Sequence, residues 1–330
     1  MYGVPNRMAN VTVTCRNFPA AYAATNGTRT RDVSPRAVLR AVVTVGAQRF
    51  LDVFSVGWRG LLHRFGMGLS AFSFLEQSPT GLCLSNKYAS LDGSEKGAST
   101  YWYGMALAKI IADVELGVHW LVHVDQMRDS GALTITSSTN ERGDLVGRDI
   151  SGAWHVVEAK GRSNTYPASL VAKAKRQSAR ITSINGQQPA TTSACITSLF
   201  TRPIAVLLDD PPAGEEGVGE RWRIPDNEFF RQYYRGLIEY LRELGPSREQ
   251  TLGSAPFVTA PLFPTFWDFI HYPPPQPFPD RPLELGLLAA IYEMPERAPE
   301  AVRKLPRDDT GYIGSDGIAI IGHLPEWEKV

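Results

Sequence analysis

A change in the spacing of apolar residues near residue 99 constrains the fold of this chain more than any other feature. Over residues 99–117 apolar side chains recur at helical spacing, which predicts a helix that starts at Ser99 or Thr100 and stops at Gly117. The elements predicted after it are strands at 119–124, 133–137 and 154–160, a helix at 169–184, and strands at 194–200 and 204–208. Residues 91–212 are therefore interpreted as the core of the molecule.

The regions on either side of this core follow other patterns. Residues 1–90 hold short β-branched runs such as 11–14 and 42–45, which predict strands, although Pro35 could instead begin a short helix. Residues 213–330 are predicted to contain three features: a helix at 227–244, a segment at 256–282 with nine prolines among aromatic residues, and a hairpin at 312–321. The proline-rich segment is expected to form neither regular helix nor central strand, and to pack over the protein's own core.

Composition excludes several classes of protein. Of the 330 residues, 43% are hydrophobic, enough for a sizeable core, and Lys plus Arg equal Asp plus Glu at 34 each. With no net charge, any surface that binds a polyanion must be a local patch. No apolar run is long enough to span a membrane, and the first residues do not resemble a secretory signal, so we expect a cytoplasmic protein. Three dispersed cysteines exclude a disulfide framework and a four-cysteine zinc site.

Candidate catalytic residues occur on the strand predicted at 154–160. Alternation places Glu158 and Lys160 on one face, together with the apolar Val156, where charged side chains rarely lie without a partner or a task. Asp144 lies fourteen residues before Glu158, just beyond the strand predicted at 133–137. Two converging carboxylates and a lysine can form a hard-cation site that leaves positions open for water and phosphate.

This pattern resembles the PD-(D/E)XK nuclease superfamily. In that family an aspartate ends or follows one strand of a hairpin, and a Glu-x-Lys motif lies on the next strand. Asp144, Glu158 and Lys160 match these positions, whereas Gly143 replaces the proline that often precedes the aspartate. The resemblance covers about 99–210, a third of the chain. It implies an α/β fold with a restriction-endonuclease-like mixed central sheet flanked by helices, with an N-terminal β-rich elaboration and a C-terminal elaboration rich in proline and aromatic residues.

The resemblance also implies a function. Asp144, Glu158 and the backbone carbonyl of Ala159 would bind Mg²⁺, or alternatively Mn²⁺, and Lys160 would position or activate the attacking water. The substrate would be DNA, and an endonuclease is favoured over an exonuclease. Prokaryotic restriction, defence or repair is the implied setting. The protein would act alone, as a homodimer, or with a protein partner that brings it to its target.

Gln177 and a group of basic residues support this interpretation. Gln177 lies within an apolar stripe of the helix predicted at 169–184 and resembles a glutamine that RecB-type members place in the active site. Residues 159–185 contain six basic residues and no acidic one, so this segment is the predicted phosphate-binding patch. The residues expected to contact DNA are Arg162, Lys173, Arg176 and Arg180. Glu95 and Glu115, near the two ends of the first helix, are candidates for a further metal ligand.

Three other interpretations stay open at this stage. Glu158 and Lys160 could be neighbouring charges on an exposed edge strand. The chain could also be a catalytically idle member of the same fold that serves as a binding or assembly module. Alternatively, it could be an interaction protein whose working surface is the aromatic C-terminal third, with the side chains Phe263, Phe266, Trp267, Phe269 and Tyr272.

Overall fold

The computed structural model of the chain describes residues 8–45, 58–136, 143–210, 219–243, 247–262, 283–305, 312–322, 324 and 326–329. The strands are β1 (Ala9–Arg16), β2 (Gly27–Val33), β3 (Leu75–Ser78), β4 (Gly81–Leu84), β5 (Trp120–His123), β6 (Thr134–Ile135), β7 (Leu145–Arg148), β8 (Trp154–Arg162), β9 (Ile181–Ile184), β10 (Thr191–Ser198), β11 (Ala205–Asp209), β12 (Glu220–Arg223), β13 (Arg248–Leu252), β14 (Ala255–Pro261), β15 (Glu284–Leu288), β16 (Ile318–Ile321) and β17 (Glu328–Lys329). The α-helices are α1 (Pro35–Thr44), α2 (Trp58–Leu69), α3 (Ala71–Phe74), α4 (Asn86–Ala89), α5 (Gly93–Leu116), α6 (Val124–Asp129), α7 (Ala168–Ala179), α8 (Asp226–Glu243), α9 (Ala289–Glu293) and α10 (Ala298–Arg303). Two 3-10 helices, Ala20–Thr25 and Pro295–Arg297, complete the described elements.

A seven-stranded mixed sheet organises the molecule. Its strand order is β2-β1-β11-β10-β8-β7-β5. The strands β5, β7 and β8 form an antiparallel meander, and β10 then joins β8 in parallel. Beyond β10 the sheet continues with the antiparallel β11, the parallel β1 and the antiparallel β2. The prediction of an α/β fold with a large mixed sheet flanked by helices is confirmed.

Helices cover the two faces of this sheet. On one face, Tyr103, Leu107 and Ile111 of α5 pack in a core that also contains Val157 of β8 and Cys195 of β10. On the other face, Ala174 of α7 packs against Ala194 and Ile196 of β10. Because side chains alternate along a strand, neighbouring residues of β8 face different helices.

The helix α5 begins six residues before the predicted start. Asp92 is its N-cap, and the Asp92 carboxylate accepts hydrogen bonds from the backbone N–H of Ser94 and Glu95. Ser99 and Thr100 therefore lie inside the helix and are buried. The predicted end is confirmed, since Gly117 caps the helix in the left-handed conformation at φ 69°.

The hairpin strand before β8 differs from the prediction. The described part of this predicted strand, residues 133–136, contains only the two-residue strand β6, which pairs with β12 in a separate sheet. The partner of β8 is β7, in residues interpreted as a connection. This short strand is hard to predict from sequence because it contains Gly147, and glycine is uncommon in strands. Glycine is required at this position because a Cβ would collide with the backbone carbonyl oxygen of Trp120.

The helix predicted at 169–184 is also too long. The helix α7 ends at Ala179, and Ile181–Ile184 form β9, which pairs in parallel with β12. Both isoleucines of β9 are buried in the core that contains Trp222 of β12. Burial against a neighbouring strand and β-branched side chains favour the extended conformation here.

The first ninety residues contribute directly to the main sheet. The strand predicted at 11–14 is confirmed as part of β1, and β1 pairs with β11. The strand predicted at 42–45 is wrong, because residues 42–44 form the last turn of α1 and Val45 is its C-cap. The helix begins at Pro35, and the Ser34 hydroxyl caps it by accepting a hydrogen bond from Ala37 N at 3.1 Å.

The C-terminal region forms a four-stranded antiparallel sheet in the order β13-β14-β15-β16. The expectation that residues 256–282 contain no central strand is wrong for its first part, because β14 lies between β13 and β15. Pro256 and Pro261 stand near the ends of β14, where the loss of an N–H donor does least harm. Residues 263–282, with the five aromatic side chains considered for docking, lie outside the described residues. The helix predicted at 227–244 is confirmed as α8, and the terminal hairpin is confirmed by β16 and a bridge from Ile313 to Ala319.

A buried polar network attaches this C-terminal region to the main sheet. Lys109 of α5 contacts the Tyr233 hydroxyl of α8, and its Nζ lies 3.4 Å from Asp316 Oδ2 before β16. Tyr233 also donates to Asp316 Oδ2 at 2.6 Å. Lys109 and Asp316 are 6% and 3% exposed, so the charges are almost fully desolvated. No helix of the described ranges is long and apolar enough to cross a membrane.

Candidate active site

The strand β8 places a carboxylate and an ammonium group on the face of the sheet that α7 covers. Trp154, Val156 and Glu158 are buried, and Lys160 follows where the strand becomes partly exposed. The strand β7 brings Asp144 to the same place, because Asp144 immediately precedes it. The prediction put Asp144 beyond a strand at 133–137; the structure corrects this, and the short strand β7 determines its position.

The structure brings the three predicted residues Asp144, Glu158 and Lys160 into mutual contact. Lys160 Nζ donates to Asp144 Oδ2 at 3.1 Å and forms an ion pair with Glu158 Oε1. Asp144 Oδ2 also accepts a hydrogen bond from the backbone N–H of Ala159 at 3.1 Å. Lys160 and Asp144 keep 26% of their side-chain surface exposed, so the cluster opens to solvent on their side.

Glu158 is the least compensated charge of the cluster. Its side chain is completely buried, Oε1 meets Lys160, and the backbone N–H of Asp144 also faces the carboxylate, whereas Oε2 makes no hydrogen bond of good geometry with a described residue. Burial raises the pKa of the Glu158 carboxyl to about 7; the Asp144 carboxylate adds to the rise and the Lys160 ammonium opposes it. A buried carboxylate with a free oxygen beside a second carboxylate is a position that a cation would stabilise.

Lys160 keeps its proton at neutral pH. Burial lowers the pKa of the Lys160 ammonium, but Asp144 and Glu158 raise it by more, so the net pKa lies above its ordinary value. Lys160 is therefore a hydrogen-bond donor and a positive charge in this site, and not a base.

The Ala159 carbonyl points to the same side of β8 as Asp144. In a β-strand the N–H and C=O of one residue point to the same side. Since the N–H of Ala159 donates to Asp144, its carbonyl also points toward the Asp144 side of β8. Two carboxylates and one carbonyl suit Mg²⁺, which prefers oxygen ligands and retains several waters. Within the described ranges, no group of three or more His, Cys, Asp or Glu side chains could hold a metal ion, so protein ligands would be few.

Gln177 lies on the flank of α7 that faces β8. Lys175, on the opposite flank, donates to Asp209 of β11 at 3.0 Å, and these two α7 residues are separated by about 160° around the helix axis. Since β8 lies on the other side of β10 from β11, Gln177 faces the strand that carries Glu158. Its Oε1 atom is buried and has no hydrogen-bond partner among the described residues. The apolar stripe expected around it ends at α7, because Ile181 and Ile184 belong to β9.

The predicted basic residues differ in their surroundings. Lys173 and Arg176 are exposed on α7, and no described acidic side chain forms an ion pair with either. Arg162 ends β8 on the same face as Lys160, and its buried Nε lacks a described partner. Arg180 is the C-cap of α7 and not an interior helix residue. Lys173 and Arg176 thus present exposed positive charges on the helix that covers this face of the sheet, the kind of surface that phosphate binding requires.

Glu95 and Glu115 have other partners. Glu95 completes the N-terminal cap of α5, where Oε2 accepts from the backbone N–H of Asp92 at 3.2 Å. Glu115 is buried near the far end of α5 and pairs with Arg29 at 3.2 Å and Arg31 at 2.6 Å. The structure gives both residues structural roles, so it offers no reason to place either one at the metal.

Asp209 is a site-face carboxylate that the sequence reasoning missed. The register pairs Ala194 with both Glu158 and Asp209, so Asp209 lies level with Glu158, two strands away at about 10 Å. It is 1% exposed and accepts from Arg16 and from Lys175. Nothing in the sequence groups Asp209 with Glu158, because only the registers of β10 and β11 place the two side chains level.

Comparison with known proteins gives no assignment. No family model, no curated protein and no solved structure matches this chain.

Proposed function

We propose that this chain is a metal-dependent phosphodiesterase of restriction-endonuclease-like fold that cleaves DNA. The observation that carries the proposal is the contact of Asp144, Glu158 and Lys160 at one point of the mixed sheet, with Glu158 buried and one of its oxygens free. If only the main-sheet strands and the helices α5 and α7 that cover them are followed, the chain order is α5-β5-β7-β8-α7-β10; α6, β6 and β9 lie between these elements. The antiparallel β5, β7 and β8 and the parallel β10 support the same fold.

Asp144 and Glu158 would hold the cation together with the Ala159 carbonyl. When bound, Mg²⁺ or Mn²⁺ would supply positive charge against the scissile phosphate and favour ionisation of water at neutral pH. Carboxylate lone pairs remain for this role. Oε2 of Glu158 makes no hydrogen bond of good geometry with a described residue, and among the described residues Asp144 Oδ2 accepts from Lys160 Nζ and Ala159 N.

Lys160 orients the nucleophile and stabilises charge. Its ammonium remains protonated between two carboxylates, so it donates hydrogen bonds to the attacking water or to a phosphate oxygen. In the reaction a water oxygen bonds to phosphorus and the bond to the leaving sugar oxygen breaks. One proton leaves the water and one proton is taken up by the leaving oxygen.

The DNA backbone would run beside α7. Lys173 and Arg176 present positive charges that no described acidic side chain neutralises, and Arg162 lies two residues beyond Lys160. In a chain without net charge, these cations beside the carboxylate cluster give the polyanion a local attraction.

The experiment is cleavage of supercoiled and linear DNA with Mg²⁺ or Mn²⁺, by the wild-type chain and by Asp144→Asn and Glu158→Gln. Glu300→Gln is the control, because this carboxylate is 60% exposed and forms a surface ion pair with Lys304. We expect cation-dependent cutting of both DNA forms, lost in both site variants and kept in the control. Cutting that persists in the site variants would refute the assignment, and folded wild type that cuts no DNA would instead support an idle binding or assembly module.

A further inference from the structure

An exposed aromatic side chain lies beside the candidate active site. Phe200 follows β10 and keeps 39% of its surface exposed, one of five large hydrophobic side chains at that level among the described residues. Its ring packs edge to face against Tyr166, with 6.3 Å between centroids and 77° between planes. Tyr166 precedes α7 and packs on the small core of Ala174 and Ala194, so the pair lies on the site face of the sheet.

The backbone connects this aromatic pair to the site strand. Leu199 N donates to Arg162 O at 2.7 Å, and the Ser198 hydroxyl donates to the Tyr166 hydroxyl at 3.3 Å. Because β8 and β10 run in parallel and Ser198 pairs with Arg162, Phe200 and Lys160 lie at the same edge of the sheet. Arg162 therefore lies between Lys160 and Phe200 at this end of the sheet.

Arg162 adds a cation to the aromatic pair. Its guanidinium forms no ion pair with any described acidic residue, and its Nε is buried without a partner. An aromatic face beside an unpaired guanidinium is the combination that holds an unpaired nucleotide, since the ring stacks on the base and the cation meets the phosphate. A base inside a duplex is already stacked and cannot occupy such a surface.

We infer that Phe200, supported by Tyr166 and Arg162, stacks an unpaired base of the DNA strand that enters the site. The inference rests on the proposed nuclease function and deepens it: the substrate has a single-stranded segment at the site. The apolar ring, the adjacent unpaired cation and the edge shared with Lys160 all fit an unpaired nucleotide. Intact duplex meets only the cations of α7.

Binding of labelled oligonucleotides without divalent cation tests the inference separately from cleavage. Fluorescence anisotropy would compare a single strand with the matching duplex for wild type, Phe200→Ala and Phe200→Trp. Val114→Ala is the matched control, because Val114 is 50% exposed on α5. We expect Phe200→Ala to weaken single-strand binding roughly tenfold while duplex binding changes less than about twofold. The Phe200→Trp protein should keep single-strand affinity. Its tryptophan emission should fall on binding by more than that of the wild type, which contains seven tryptophans of its own.

Three results would overturn the inference. Phe200→Ala could lose the same affinity for single strand and duplex, or it could lose affinity for neither. The tryptophan emission of Phe200→Trp could also change no more than that of the wild type when a single strand binds. Cleavage measured on the same samples separates the two claims. Phe200-dependent single-strand binding without cleavage would remove the nuclease proposal and leave the stacking surface standing. Cation-dependent cleavage together with single-strand binding that does not depend on Phe200 would support the nuclease proposal and remove the stacking inference.

Discussion

At the scale of single residues, the site is defined by a charge imbalance around Glu158. One ammonium, Lys160, faces two carboxylates, and the buried Glu158 carboxyl has its pKa raised to about 7. Burial of a charge without full compensation destabilises a fold, and such arrangements concentrate at functional sites. A hard cation would correct the imbalance, which is why we assign the cluster a metal and not a structural role.

This imbalance makes folding stability depend on pH. The unfolded Glu158 carboxyl has a pKa of about 4.5, below its folded value, so its stabilising contribution is present at low pH and is lost as pH rises through about 7. In metal-free buffer, we expect the free energy of unfolding of wild type relative to Glu158→Gln to fall by roughly 1–3 kcal/mol between about pH 5 and about pH 8. Urea unfolding of both proteins measures this difference, and a difference independent of pH would contradict the assigned pKa.

At the scale of secondary-structure elements, the close approach of α5 to β8 positions the site strand. Gly104 of α5 packs on Gly161, and a Cβ on Gly161 would collide with the carbonyl oxygen of Thr100. Two glycines thus let the helix backbone touch the strand one residue after Lys160.

Alanine substitutions at Gly161 and at Gly97 should separate the effect of close packing on stability from the effect of helix propensity. We expect Gly161→Ala to lower the free energy of unfolding by about 1–3 kcal/mol, because the helix must move away from the strand. Gly97 lies on α5, and a Cβ added there would have no other part of the protein within 4 Å. Gly97→Ala should therefore leave the free energy of unfolding unchanged or raise it by up to about 1 kcal/mol. Chemical denaturation of both variants measures the contrast, and equal effects would show that the contact carries no strain.

The elements also show which parts of the fold the sequence could predict. The long periodic pattern of α5, the valine-rich β8 and the apolar strands β10 and β11 were recognised, because burial and local pattern agree there. The four-residue β7 was missed, because a strand with glycine at a crowded position has no period of its own. Residues 181–184 continued a helical stripe by coincidence, and only pairing with β12 makes them a strand.

The site was predictable to a similar degree. Asp144, Glu158 and Lys160 could be grouped from their order along the chain, and the structure places them in contact. Asp209 and Phe200 could not be grouped with them, since their positions depend on the registers of β10 and β11. The sequence alone can group reactive side chains on one strand or on neighbouring segments of the chain. Which residues of other strands lie beside them depends on the register of the sheet.

At the scale of the whole molecule, the Lys109–Asp316 pair joins the C-terminal sheet to α5, the helix that packs on the main sheet. Burial lowers the pKa of the Lys109 ammonium, although Asp316 and Asp113 oppose this. An ion pair that is almost fully desolvated adds little net stability, but losing one partner leaves the other charge buried and alone.

Removal of one partner should therefore be costly. We expect Lys109→Met to lower the free energy of unfolding by roughly 3–5 kcal/mol, and the double variant Lys109→Met with Asp316→Asn to regain part of the loss. Lys304→Ala breaks an exposed pair with Glu300 and should leave the free energy of unfolding almost unchanged, because water screens this pair. Thermal and urea unfolding measure all three, and a small effect of Lys109→Met would argue that water reaches this network.

The central claim is that the Lys160 ammonium, held by Asp144 and Glu158, takes part in phosphodiester hydrolysis. The measurement that tests it most directly is the single-turnover rate of DNA cleavage at saturating Mg²⁺ for wild type, Lys160→Ala and the exposed-lysine control Lys87→Ala, each confirmed to be folded. The account predicts that Lys160→Ala lowers the rate by about 100-fold or more and that Lys87→Ala leaves it unchanged. A Lys160→Ala protein that cleaves within about twofold of the wild-type rate would contradict it.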